Sequence, residues 1–161
     1  MSFDPAPGSS GVSAHTSSRP DPAREVREMA RLLVDSAERL AAASDLVVNA
    51  ATARSLGEMG QMRRTASDTV IALAADAGVV VRNDATGSAG GVMDQSTLGL
   101  PTGDDSVVIE VLLARDDRLV VRLDAAQGGD LPPMVKEQLR LTGAQVRDGL
   151  RSMATWVGSG S

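Results

Sequence analysis

Apolar positions recur along this chain at two different periods, and each period predicts a different kind of element. From Asp21-Pro22 onward, Val26, Met29, Leu33, Leu40 and Val47 follow helical spacing. Asp21 can accept from the first free amides, and Pro22 suits the first helical position. The pattern predicts one long helix running to Leu56, with Gly57 or Gly60 as its stop. Ala30, Ala37, Ser44 and Ala51 form a row of small residues beside that stripe. Such an edge suits close packing against another helix, in the same chain or in a second copy. Helical spacing resumes from Gln61 to Ala77 through Met62, Ala66, Val70 and Leu73, so the N-terminal part could also form a helical hairpin. A strand around Thr69 to Leu73 is the alternative there, because Val70-Ile71 is β-branched.

Period two appears between Ser106 and Asp124. Val107, Ile109, Val111 and Leu113 share one parity, as do Leu119, Val121 and Leu123 beyond Arg115-Asp116-Asp117-Arg118. This predicts a β-hairpin with a charged turn. Val79 to Val81 adds a short strand. Val135, Leu139, Thr142, Val146, Leu150 and Met153 then return to helical spacing behind Pro132-Pro133. The expected fold is α+β: a long N-terminal helix, a small antiparallel sheet centred on a β-hairpin at 106–124, and a C-terminal amphipathic helix. Residues 1–20, rich in Ser, Gly and Pro, form an expected disordered arm. A single domain covers 21–157, interrupted by a Gly-rich loop at 83–105, and 158–161 make a frayed tail.

Composition removes several functions. With no cysteine, thiolate metal sites and thiol nucleophiles are out, and the sole histidine, His15, lies in the expected arm. No Ser-His-Asp constellation follows from such a sequence. A net charge of −5 and only two aromatic residues, Phe3 and Trp156, argue against nucleic acid as a partner. No stretch approaches the roughly 18 apolar residues of a membrane span, so no membrane insertion is expected and a cytoplasmic location is. Arg-rich, Lys-poor composition fits a GC-rich bacterial genome.

The segment Asn83 to Gly91 follows an expected strand but lacks the Lys of a phosphate loop. It is read as a connector, with an anion cradled by its backbone amides as the alternative; the whole loop from Asn83 to Asp105 could instead close as a lid over a small molecule. Asp104-Asp105 reads as a cap, Asp116-Asp117 as turn chemistry, and Arg63-Arg64 as a solvated face. No catalytic residue, cofactor or metal is expected. Trp156, the last large residue, either covers the end of the core or anchors a partner.

The order strand, strand, helix over Ser106 to Met153 resembles the C-terminal domains of type III secretion length-control and specificity-switch proteins. Size and acidity are similar to those of type III secretion chaperones. These resemblances imply a secretion-associated role and assign no residue. The expected function is that of a non-enzymatic protein–protein interaction protein: an adaptor, chaperone or assembly subunit, with homodimer formation open. Its candidate interaction surface is Ala30, Ala37, Ser44, Ala51 and Trp156. A small-molecule-sensing domain is the alternative.

Overall fold

The computed structural model describes residues 21–82, 99–101 and 103–159. Among the described residues there are four helices: α1 (Pro22–Leu46), α2 (Ala50–Asp76), α3 (Asp105–Gln127) and α4 (Pro133–Ser159). α1 packs on α2 and on α3, and α4 packs on the same two helices from the opposite corner. The start of α3 lies beside the end of α1, where the Asp105 carboxylate accepts from the Val48 and Asn49 amides at 2.8 and 3.0 Å. The far end of α3 meets the start of α1 through Arg122 and Glu25, 2.9 Å apart. The order is therefore up, down, down, up. Two short turns close the α1–α2 and α3–α4 hairpins, and the end of α2 and the start of α3, which the connection joins, lie at opposite ends of the bundle, a one-crossover four-helix arrangement.

The α+β expectation is overturned. The described residues contain no strand, and the expected hairpin at 106–124 is one continuous helix, α3, of 23 residues. Ser106 to Ala114 is apolar at both parities, so it satisfies period two and period 3.6 together. What decides is which residues the bundle buries: Val108, Ile109, Leu112, Asp116, Leu119, Leu123 and Ala126, a helical set. Arg115 to Arg118 contains no Gly, Pro or Asn to turn a chain, and all four residues tolerate a helix interior. Val79 to Val81 is not a strand either. The resemblance to secretion specificity-switch domains rested on that strand order and goes with it. Of the expected Gly-rich loop and lid at 83–105, only 99–101 and 103–105 are described; residues 83–98 and 102, with the expected connector at 83–91, lie outside the described residues, as does the arm at 1–20.

The long first helix is also corrected. It ends at Leu46, Val47 turns extended, and Asn49 caps α2 by accepting from the Thr52 amide at 3.0 Å. Gly57 and Gly60, expected as stops, lie inside α2. A Cβ on Gly60 would sit 3.1 Å from the Ala37 carbonyl oxygen, so this glycine marks a close helix–helix approach rather than a helix end. The segment from Gln61 is simply the second half of α2. Asp104, at the N-cap of α3, makes no side-chain cap bond; its neighbour Asp105 instead accepts from the amides of the α1–α2 turn.

The core has two apolar clusters. One is built on Met29, Leu33, Val70, Leu123 and Leu139, the other on Leu40, Leu56, Ile109, Leu112 and Met153. Between them runs a polar layer.

Candidate functional site

The end of the bundle that holds the α1–α2 turn, the start of α3 and the end of α4 contains an open cavity of about 540 Å³. Ala51, Thr52 and Ser55 line it from α2, Asp104 to Ser106 and Ile109 from α3, and Trp156 from α4. Asn49 and Asp105 fix its rim through the caps described above. Trp156 is half-buried: part of it packs against the cluster of Ile109 and Met153, and part lines the cavity. Val48, at the adjoining turn, is 88% exposed. Two of the five expected interaction residues, Ala51 and Trp156, thus share one cavity. The other three face elsewhere. Ala30 and Ala37 are buried between α1 and α2, where the Ala30 carbonyl accepts from the Ser67 hydroxyl at 3.0 Å. Ser44 donates to the Ala53 carbonyl at 2.7 Å. The small-residue row from Ala30 to Ser44 is a seam within the chain.

The polar layer across the middle of the bundle is the second unusual place. Arg63 on α2 reaches the diagonally opposite α3, donating to both Asp116 oxygens at 2.6 and 2.7 Å and to the Ser36 hydroxyl of α1 at 2.6 Å. Both side chains are about 5% exposed. A fork-shaped guanidinium on a carboxylate is the strong geometry for such a pair, and the added hydroxyl engages a further donor. Among the described residues, no buried side-chain polar atom lacks a partner.

From this layer a groove of about 420 Å³ opens between α1 and α3. Arg39, Arg115, Arg118 and Arg122 line it together with Glu28, Asp35 and Asp116. Burial, followed by the charge of nearby Arg115, pushes the Arg39 guanidinium below its ordinary pKa; Asp35 and Asp116 act the other way. Arg122 is raised, chiefly by its bonds to Glu25.

No known family, characterised protein or solved structure matches the chain. Chemistry has to be argued from the residues themselves. Among the described residues, no group of three His, Cys, Asp or Glu could hold a metal ion, and no helix is long and apolar enough to cross a membrane.

Asp116 and Arg63 are the residues that sequence reasoning missed. Asp116, expected in a hairpin turn, and Arg63, expected on a solvated face, are the charged pair at the centre of the bundle. The signal was their spacing. Arg63 stands seven residues from both Leu56 and Val70, and Asp116 takes the slot between Leu112 and Leu119.

Proposed function

We propose that the chain is a non-enzymatic protein–protein interaction module whose docking surface is the bundle end around Trp156. The observation that carries the reading is Trp156 itself. The largest side chain of the protein is left half-buried in an open cavity, beside an exposed valine turn. Tryptophan in a partly desolvated pocket ringed by small polar residues is the usual make-up of an interface anchor. Ala51, Thr52 and Ser55 leave room for a partner side chain, and the amide-rich starts of α2 and α3 offer a polar rim. The non-catalytic part of the reading is supported by side-chain chemistry: Asp116, the buried carboxylate among the described residues, has both oxygens held by Arg63.

Co-purification from native extract and light scattering over a concentration series test this, with Trp156→Ala and Ala51→Arg against Val80→Arg as a distant surface control. A partner or second copy held by the wild type and the control should bind at least about thirty-fold more weakly to Trp156→Ala, the loss of a hot-spot residue. Binding that survives both cavity substitutions places the docking surface elsewhere.

A further inference from the structure

We propose that the outer face of α3 is a self-association seam, on which a second copy of the chain lays its own α3 in parallel. The first support is the spacing of what α3 leaves uncovered. Val107, Val111, Ala114, Arg118, Val121 and Ala125 alternate steps of four and three residues, the heptad spacing of a coiled-coil stripe. In heptad terms Val111, Arg118 and Ala125 are a positions, and Val107, Ala114 and Val121 are d positions. The stripe lies opposite the set that α3 buries in the bundle. Apart from half-buried Val111 it is exposed, Val121 at 68%. A shallow hollow of about 340 Å³ sits on it. Four of its walls, Arg118, Val121, Arg122 and Ala125, are the a, d, e and next a positions, the hole that takes a d side chain of a facing helix. Val121 of the second copy fills that hollow.

The second support is charge, which fixes both the occupant and its direction. The flanks of the stripe are sorted by sign: Glu110, Asp117 and Asp124 run along one side at g, Arg115 and Arg122 along the other at e. In a parallel pair each g residue faces the e residue five places on in the other helix. Glu110 then meets Arg115 and Asp117 meets Arg122, twice over, once on each side of the twofold axis. An antiparallel pair would set acid against acid and arginine against arginine. The face is thus complementary to itself, as a twofold interface requires. Among the described residues Glu110 and Asp117 form no ion pair, while Asp124, beyond the last e arginine, is held by Arg147 of its own chain. Arg122 gives two bonds to Glu25, and a guanidinium has five N–H donors, so it can hold Asp117 of the second copy as well. Arg118, a charge at a central a position, sets the register at some cost in affinity. The bundle already holds α3 helical, so association carries no cost of ordering it.

Sedimentation of the full chain over a concentration series tests the seam. A monomer–dimer equilibrium is expected. Val121→Glu, which puts a carboxylate into a d layer, and Asp117→Arg, which sets arginine against Arg122, should each weaken it at least about tenfold. Both positions are exposed in the single chain, so the fold should stand in both variants, read by circular dichroism. Direction is read by a disulfide. The chain has no cysteine, and in a parallel seam Val121→Cys faces its own copy. Oxidised glutathione should therefore link it into dimers faster than Thr65→Cys, exposed on α2. The seam is separate from the bundle end, so Trp156→Ala should leave the dimer whole, and a partner lost with Trp156 is then a different protein. A chain that stays monomeric up to roughly 1 mM, the weak limit of specific association, overturns the proposal. So does a dimer indifferent to either α3 substitution, one lost with Trp156→Ala, or a Val121→Cys that links no faster than Thr65→Cys.

Discussion

Cutting Asp116 back to alanine is the most informative perturbation of this bundle. It leaves Arg63, about 5% exposed, with its guanidinium facing a gap where two charge-assisted bonds had been. Ser36 alone cannot neutralise it. Removing one partner of a buried ion pair typically costs about 3–5 kcal/mol, because the remaining charge stays desolvated. For a domain of this size that is a fall in melting temperature of roughly 6–20 °C, at about 2–4 °C per kcal/mol. In urea, with a slope of about 2 kcal/mol per molar, the midpoint should move down by roughly 2 M. Replacing both partners with apolar side chains, Arg63→Met with Asp116→Leu, removes the stranded charge. That double variant should regain most of the loss, since apolar replacements of buried pairs are often neutral or stabilising by about 1–4 kcal/mol. The Ser36 hydroxyl can then turn to a carbonyl in its own preceding turn. Urea unfolding of the four corners of this cycle gives the coupling directly. A cost under about 1 kcal/mol for Asp116→Ala, the size of a solvent-exposed pair, would refute the buried assignment. So would a double variant as unstable as the sum of the two singles.

Three further outcomes follow from the packing. Gly60→Leu forces a side chain against the Ala37 carbonyl and Leu40 Cβ and should lower stability by about 1–3 kcal/mol, read by urea unfolding. Gly143→Ala meets only Arg147 Nη1 at 3.7 Å and Asp124 Oδ1 at 3.8 Å, both at ordinary contact distance. It should therefore raise the melting point through a helix-propensity gain approaching 1 kcal/mol. Asp105→Ala removes the two bonds that hold the Val48 and Asn49 amides; about 1–2 kcal/mol should be lost, with faster hydrogen exchange confined to the α1–α2 turn.

α1 and α4 were legible because their apolar residues sit on one face with charges opposite. Val26, Met29, Leu33 and Leu40 in α1, and Val135, Leu139, Val146 and Met153 in α4, are all in the core. α3 was not legible. Val107 to Leu113 offers apolar residues to either period, and its β-branched members favoured the wrong one. Only burial separates Val108 at 1% from Val107 at 42%. The α1–α2 turn was missed for a different reason. Val47-Val48-Asn49 carries one capping residue and no glycine, while the glycines that look like breakers serve the seam between the two helices. The polar layer defeats a hydrophobic pattern by construction, since Arg63 and Asp116 occupy core slots with charges. A complementary pair placed in otherwise apolar stripes is itself a signal, but one that single-helix periodicity discards. At the bundle end, Trp156 could be singled out by size alone, whereas its meeting with Ala51 depends on the crossover and was invisible in either helix.

That crossover has more chain than its path requires. A helix of 27 residues is roughly 40 Å long, and 28 extended residues reach roughly 90 Å. In number of residues the connection therefore exceeds what the distance between two hairpins of similar length, Pro22–Asp76 and Asp105–Ser159, requires. What joins the halves is the faces they share, with Arg63 on one half gripping Asp116 on the other. A gene split between Asp76 and Asp105 should yield two fragments that find each other as a heterodimer. The covalent link then contributes only effective concentration, and the protein becomes in design terms a complementation pair.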